Sequence, residues 1–193
     1  MKERPKNKSI MKKYLLVIVL LVQVLNLRAQ DIFTDPKMKI SFFSETPAAN
    51  IDARSSNGSG ALNIKSKQIF ATVKAKSFAF TRELMQEHFN ENYIESDKFP
   101  DASFNGTITD NIDFSKDGTF SVSATGKLTM HGVPVERTIP LTITVTGKQI
   151  KVHSEFMVHI ADHKITIPTL VTKEIAEDVK VTVDGTLNPY TAN

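Results

Sequence analysis

Three histidines in the C-terminal third are of the residue type that can hold a metal ion. His153, His159 and His163 follow one another closely, and Asp162 adds a carboxylate. Residues six apart in a strand share a face but lie about 20 Å from each other, so His153 and His159 cannot bind one zinc ion. His159 and His163 have ligand spacing only on a helix or across a hairpin. We therefore predict ordinary polar histidines and no metal site.

The side chains used in nucleophilic or acid–base catalysis are also poorly arranged. The chain has no cysteine and no G-x-S-x-G motif. The acidic residues Glu91, Glu95, Asp97 and Asp101 follow one another on a polar segment, which predicts a solvated face instead of an isolated inward pair. We therefore predict no catalytic residue, no cofactor and no enzymatic activity.

Apolar side chains are the more informative feature. Twelve phenylalanines occur without a single tryptophan. Such side chains either wall a pocket for an apolar ligand or fill an ordinary core, and the inward positions of small barrels are normally filled. Both interpretations stay open for the following residues: Phe42, Phe78, Phe80, Phe89, Phe99, Phe104, Phe120 and Phe156.

Strands are the elements that must position these side chains. Val179, Val181 and Val183 alternate with Lys180 and Thr182, a period of two that places one face on a core and the other in water. The same alternation recurs along the chain. We predict strands near residues 37–44, 50–54, 59–65, 69–78, 102–113, 119–130, 136–146, 149–159, 163–167 and 178–188.

Turn residues separate the strands at short intervals. The sequences SNG at residues 56–58 and KDG at residues 116–118 contain the Asn, Asp and Gly that hairpins favour. Many strands with short connections predict an all-β protein with a closed or nearly closed antiparallel sheet, since closure removes exposed edges. Short helices are predicted at residues 81–92 and 170–177. The apolar face predicted for the first helix consists of Leu84, Met85, His88 and Phe89.

The first 30 residues predict an N-terminal extension followed by a secretory signal peptide. Lys12 and Lys13 precede an apolar run at residues 14–22, and a small residue marks a cleavage site near the end of the segment. The run is short for a bilayer span, and a retained N-terminal anchor is the alternative. We expect residues 31–193 to form a single domain, periplasmic or secreted, with no stable membrane span.

The positive charge of the chain belongs to that N-terminal segment. The whole chain has a formal net charge of +3, but residues 1–30 hold seven Lys and Arg against one Glu, a net of +6, which leaves residues 31–193 at −3. A nucleic-acid-binding domain would carry clustered basic residues, so no nucleic-acid partner is expected. Without cysteine there are no disulfides, and the core must supply the stability.

Two segments carry a resemblance to a known family. They are HFNENYIESDKFPDASFNG at residues 88–106 and GKLTMHGV at residues 126–133. The stretch 40–187 resembles the YceI-like family of periplasmic polyisoprenoid-binding proteins. It departs from the family at residues 159–170, HIADHKITIPTL, where many members carry an Arg-x-Asp-Phe-Gly type element, and this leaves the headgroup preference open. The matching residues are His88, Phe89, Tyr93, Phe99, Pro100, Phe104, Gly126, Leu128, Thr129, His131, Gly132 and Val133.

The resemblance implies a lipocalin-like antiparallel β-barrel of about eight strands, with one helix inserted between strands and a short helix near the C-terminus. Its interior is expected to hold one long isoprenoid or fatty-acyl chain. The alternative is a barrel filled by its own side chains that acts as an envelope stress or protein-interaction module, and a homodimer is one open oligomeric state. The expected ligand-binding residues are Phe43, Phe78, Phe80, Met85, His88, Phe89, Tyr93, Phe99, Phe104, Phe120, Leu128 and Phe156.

Overall fold

Nine antiparallel strands make up most of the protein in the computed structural model, which describes residues 31–46, 50–167 and 176–191. Each strand is joined to its neighbours in the sheet by antiparallel pairing. The strands are β1 (Ile32–Glu45), β2 (Asn50–Asn63), β3 (Gln68–Lys74), β4 (Ala79–Phe80), β5 (Asp101–Ile108), β6 (Gly118–Met130), β7 (Val133–Thr146), β8 (Gln149–His159) and β9 (Asp178–Pro189).

Eight of these strands close into a barrel. The order is β1-β9-β8-β7-β6-β5-β3-β2, and β1 also pairs with β2, which completes the ring. The remaining strand, β4, is a two-residue continuation of β3 that pairs with Ala53 and Arg54 of β2. The predicted all-β, lipocalin-like antiparallel barrel is therefore confirmed. A barrel of eight strands has an interior just wide enough for its own side chains or for one small ligand.

The predicted turn at residues 56–58 is wrong, because β2 runs through it without a break. Its glycines are needed for space and not for a turn. A Cβ atom on Gly60 would lie 2.3 Å from Sδ of Met38, and one on Gly58 would lie 2.9 Å from Cδ1 of Ile40. The register of β1 against β2 shifts on both sides of Met38, so this side chain lies over the glycines at a β-bulge.

Strand β1 starts at Ile32, earlier than the predicted residue 37, and so includes Pro36, which lacks an N–H group. Asp35, which is buried, compensates by accepting hydrogen bonds from the backbone N–H groups of Lys37 at 2.8 Å and Thr186 at 2.7 Å. The strand therefore continues across the proline from Ile32.

The predicted helix at residues 81–92 corresponds to two helical turns of different kinds. Helix α1 (Glu83–His88) is followed directly by a π-helical turn, Phe89–Tyr93. We call residues 81–100, which join β4 to β5, the insertion. Met85 and Phe89 are half-buried as expected, but Leu84 is 60% exposed, so its predicted place on the apolar face is wrong.

Two further predictions differ from the structure or fall outside it. Residues 163–167 do not form a strand: a 3₁₀-helix, Ile160–His163, follows β8 instead, and Lys164 ends it in the left-handed conformation. Most of the helix predicted at residues 170–177 lies outside the described residues. Within the ranges that the structure describes, no helix has the length and apolar character to cross a membrane.

The interior of the barrel is filled at one end only. Leu62, Ile108, Ile143 and Ile150 are almost completely buried there and belong to one large apolar cluster. Two smaller clusters lie at the opposite end, where the insertion and the 3₁₀-helix after β8 cover the barrel. The space between the large cluster and this cover is where a ligand could be accommodated.

Candidate functional site

A cavity of about 310 Å³ occupies the half of the barrel that is not filled by side chains. It extends from Val152 and Leu187 at its inner end to Met85, His88 and Phe89 of the insertion. This volume is within the range of ligand-binding pockets. A barrel filled to its axis would have no cavity that reaches the insertion, so the structure does not have the arrangement that the alternative hypothesis required.

The cavity wall is apolar and carries no formal charge. Among the described residues, its lining includes no Asp, Glu, Lys or Arg. The polar members are a few hydroxyl groups, His88 and Tyr93. The side chain of His88 is exposed, has no hydrogen-bond partner within the described part of the chain and lies at the outer rim of the cavity.

Four phenylalanines join the insertion to the barrel wall. The Phe89 ring centroid lies 5.4 Å from that of Phe42 on β1, 5.1 Å from that of Phe80 and 6.0 Å from that of Phe78. These are the distances at which tilted and edge-on aromatic pairs are favourable. We call Phe42, Phe78, Phe80 and Phe89 the aromatic cluster. All four line the cavity, so the same side chains hold the insertion in place and form the ligand surface.

The structure brings most of the predicted ligand residues to this cavity. Three of them, Phe43, Phe99 and Phe120, are not part of its lining in the described chain. The predicted residues that do line it are Phe78, Phe80, Met85, His88, Phe89, Tyr93, Phe104, Leu128 and Phe156.

The three phenylalanines outside the lining have other contacts. Phe43 pairs in register with Lys180 and Asp52, on the face of β1 opposite to Phe42. Phe99 packs edge-on against the ring of His131, with 4.5 Å between centroids. Phe120 packs on the large cluster at the filled end. Alternation along β1 would have identified Phe42 instead of Phe43. Met38, Ile40 and Phe42 are every second residue of the strand, and all three line the cavity.

One acidic residue of the insertion is not on a solvated face, contrary to our prediction. Glu95 is half-buried and bonded to His131, in the turn between β6 and β7, with 2.8 Å between Oε2 and Nε2. The ammonium group of Lys98 also donates to the Glu95 carboxylate. The hydrogen bond from Lys98, followed by that from His131, lowers the pKa of Glu95. Ile94, the residue before Glu95, lines the cavity. The contact between Glu95 and His131 therefore holds the C-terminal end of the insertion against the barrel.

The three histidines considered as metal ligands lie apart in polar contacts of their own. His153 and His159 on β8 are bonded to their cross-strand partners Asp184, at 2.8 Å, and Asp178, at 3.1 Å. His163 is completely buried and its Nδ1 donates to the carbonyl oxygen of Val133 at 2.9 Å. Burial lowers the pKa of His163. No group of three potential ligands occurs in the described ranges.

The fold and the cavity define a class of protein: a closed antiparallel β-barrel with an apolar cavity at one end, whose lining in the described residues carries no Asp, Glu, Lys or Arg. Residues 34–187 match the family model of the YceI-like domain, and the chain belongs to this family. None of the curated protein sequences compared with the chain matches it.

Solved structures with the same fold are distant in sequence. A polyisoprenoid binding domain from Saccharophagus degradans, implicated in plant cell wall breakdown, is 15% identical with a TM-score of 0.71, over 83% of this chain and 99% of that one. Burkholderia cenocepacia BcnA is 15% identical with a TM-score of 0.65, over 78% and 95%. The Campylobacter jejuni YceI protein is 19% identical with a TM-score of 0.54, over 65% and 74%. At these identities the similarity establishes the fold.

Proposed function

We propose that the protein is a non-catalytic binding or carrier protein that holds one long, uncharged apolar chain, such as a polyisoprenoid, inside its barrel. The observation that carries this proposal is the apolar cavity between the filled end of the barrel and the insertion. The polyisoprenoid-binding relative of the same fold supports the choice of ligand class.

The energy for binding comes from burial. Each CH₂ group removed from water contributes about 0.8 kcal/mol, so a dozen carbons contribute roughly 10 kcal/mol before the costs of association are subtracted. This is enough for a stable complex without any charged anchor. Catalysis has no part in the proposal, because the cavity lining in the described chain offers no carboxylate or amine.

The absence of charge in that lining also restricts the headgroup. An ionised phosphate or carboxylate buried there would lose its hydration without gaining an ion-pair partner, which is costly. An alcohol or a quinone needs only hydrogen bonds. His88, whose side chain has no hydrogen-bond partner in the described chain, can supply one at the rim. The best-matched ligand is therefore an isoprenoid with a neutral polar end.

A matched pair of probes tests this function. Retinol and retinoic acid have the same isoprenoid chain and differ in whether the polar end is neutral or ionised. Delipidated protein is expected to bind retinol at micromolar concentration and to bind retinoic acid at least tenfold more weakly at pH 7. Native mass spectrometry of the protein as purified is expected to show a copurified apolar molecule. Failure to take up either probe would refute the function.

We also propose that the protein works outside the cytoplasm, in the periplasm or after secretion. The support is the basic segment and apolar run in the first 30 residues. Expression of the full chain in a Gram-negative host, followed by cell fractionation and intact-mass measurement, tests this. A periplasmic product shortened by about 30 residues is expected, and a full-length cytoplasmic product would contradict it.

A further inference from the structure

Within the described residues, two long neighbouring strands of the barrel wall, β7 and β8, separate along part of their length. Strands β7 and β8 are paired only between Thr142–Thr146 and Gln149–His153. Each remains fully paired on its other side: β7 with β6 from Val133 onward, and β8 with β9 as far as His159. Residues 133–141 of β7 and 154–159 of β8 therefore border a gap in the hydrogen-bonded wall, which we call the seam.

The chemistry of β7 explains why the pairing stops there. Pro140 has no N–H group, so it cannot donate to the neighbouring strand. Its carbonyl oxygen accepts a hydrogen bond from the side chain of Ser154 instead, at 2.7 Å between the oxygens. Ser154 is 3% exposed. One side-chain hydrogen bond thus replaces the backbone ladder at the narrow end of the seam.

The rest of the seam is closed by side chains. Ile139 and Leu141 from β7 and Phe156 and Val158 from β8 all line the cavity, and all but the half-buried Phe156 are buried. At the wide end the 3₁₀-helix after β8 takes over the contacts with β7. There Nη2 of Arg137 lies 2.6 Å from Oδ2 of Asp162, and Nδ1 of His163 donates to the carbonyl oxygen of Val133.

At the seam, the same two side chains border both the interior cavity and the outer surface. A polar groove of about 420 Å³ lies on the outer surface, and Leu141 and Ser154 line both the groove and the interior cavity. The outer members of the groove include Asp110, His153 and Glu155. A displacement of Leu141 and Ser154 would therefore connect the apolar interior directly with the outside.

We propose that the apolar ligand enters and leaves the barrel sideways through this seam, and not past the insertion. This inference depends on the proposed binding function. Elsewhere around the ring, parting two strands would break a ladder of backbone hydrogen bonds, and their buried donors and acceptors would lose their partners. At the narrow end of the seam, parting breaks the Ser154–Pro140 hydrogen bond and apolar contacts that the passing chain itself replaces, while the contacts of the 3₁₀-helix with β7 at the wide end stay in place. The insertion is held down by the aromatic cluster and the Glu95–His131 pair.

Paired cysteines test the route, and the chain has no native cysteine to interfere. Thr142 and His153 form the last register pair before the seam and do not line the cavity, so a T142C/H153C disulfide prevents further separation of β7 and β8. The control disulfide is T125C/T138C, on β6 and β7, where the two hydroxyl oxygens lie 2.9 Å apart and pairing is continuous. Stopped-flow fluorescence measures retinol uptake and release with each disulfide oxidised and reduced.

Oxidation of T142C/H153C is expected to slow both uptake and release at least tenfold, with the equilibrium affinity of the oxidised and reduced forms the same. Oxidation of the control pair is expected to change neither rate. Ser154→Ala, which needs no disulfide, is expected to speed release severalfold. Retinol exchange that is indifferent to both the seam disulfide and Ser154→Ala overturns the seam route but leaves the binding function intact. Failure of the wild-type protein to bind retinol overturns both.

Discussion

The Nε2 atom of His131 lies 2.8 Å from Oε2 of Glu95. The other ring nitrogen of His131, Nδ1, lies 3.2 Å from the carbonyl oxygen of His163. The His131 ring therefore joins three segments that are far apart in sequence: the insertion, the turn after β6 and the 3₁₀-helix after β8.

Replacement of His131 is expected to destabilise the barrel. His131 has a φ of +49°, which asparagine tolerates better than most residues, so His131→Asn removes the two ring hydrogen bonds and the ring contact with Phe99 with little backbone strain. We expect the free energy of unfolding to fall by about 1–3 kcal/mol, measured by urea denaturation. Lys67→Asn, at a turn residue with a φ of +60° whose exposed side chain donates one hydrogen bond to the carbonyl oxygen of Asp110, is the control and should lower stability much less. Equal losses in both variants would contradict this role of His131.

The hydrogen bonds to the Glu95 carboxylate are expected to make the stability of the protein depend on pH in the acid range. Because the pKa of Glu95 is lowered in the folded protein, its contribution is fully present above the pKa of the unfolded chain, about 4.5, and is lost as the pH falls through the lower folded value. Glu95→Gln should therefore lower stability at pH 7 and flatten the decline below about pH 4.5. Glu91→Gln, on an exposed residue of the same insertion, should keep the wild-type profile. Denaturant titrations from pH 7 to pH 3 compare the two.

A second pH effect comes from buried His163. Burial lowers its pKa, so the unfolded chain takes up a proton first as the pH falls below about 6.5, and stability declines until the pH passes the folded value. His163→Asn keeps a donor for the carbonyl group of Val133 but cannot titrate. We expect the free energy of unfolding of this variant to change less than that of the wild type between pH 7 and pH 5.5. His159→Asn, on a histidine whose side chain is 40% exposed, is the control; a wild-type slope in His163→Asn would exclude this source of pH dependence.

Two neighbouring phenylalanines lie on opposite faces of β1, one toward the cavity and one toward the outer surface. Phe42 lines the cavity and belongs to the aromatic cluster, whereas Phe43 is in register with Lys180 and Asp52 on the other face. Phe42→Ala is expected to weaken retinol binding at least tenfold, since it removes part of the cavity wall and a support of the insertion. Phe43→Ala should stay within twofold of wild type. Fluorescence titration measures both, and equal effects would place the ligand elsewhere.

The glycines of β2 and the side chain of Met38 are expected to be energetically linked. A Cβ atom at Gly60 would lie 2.3 Å from Sδ of Met38, so Gly60→Ala should destabilise the protein by about 1–3 kcal/mol through overpacking. Met38→Ala removes the opposing atoms, and Gly60→Ala should cost much less in that background. A double-mutant cycle by urea denaturation measures the difference. Additive losses would mean that Gly60 is needed for another reason.

The sequence by itself determined the all-β class, the closed antiparallel sheet and the family, because alternation and local motifs are properties of neighbouring residues. Most strands and the helical start of the insertion were predicted for the same reason. The apolar character of the expected ligand surface was also predictable, since inward positions of a strand are every second residue. Strand β9, predicted at residues 178–188 and observed at Asp178–Pro189, shows how well this works where the alternation is regular.

Only the tertiary structure decided where the alternation changes register and which distant groups meet. The sequence SNG at residues 56–58 predicted a turn locally, but Gly58 lies in a strand because Ile40 and Met38, from another strand, need the space. Glu95 was expected to be solvated, and its partner His131 is 36 residues away in the chain. The cavity itself depends on how far side chains from eight strands reach toward a common axis. No local sequence pattern gives the volume that remains at the axis, because that volume is set by how the eight strands close into a ring.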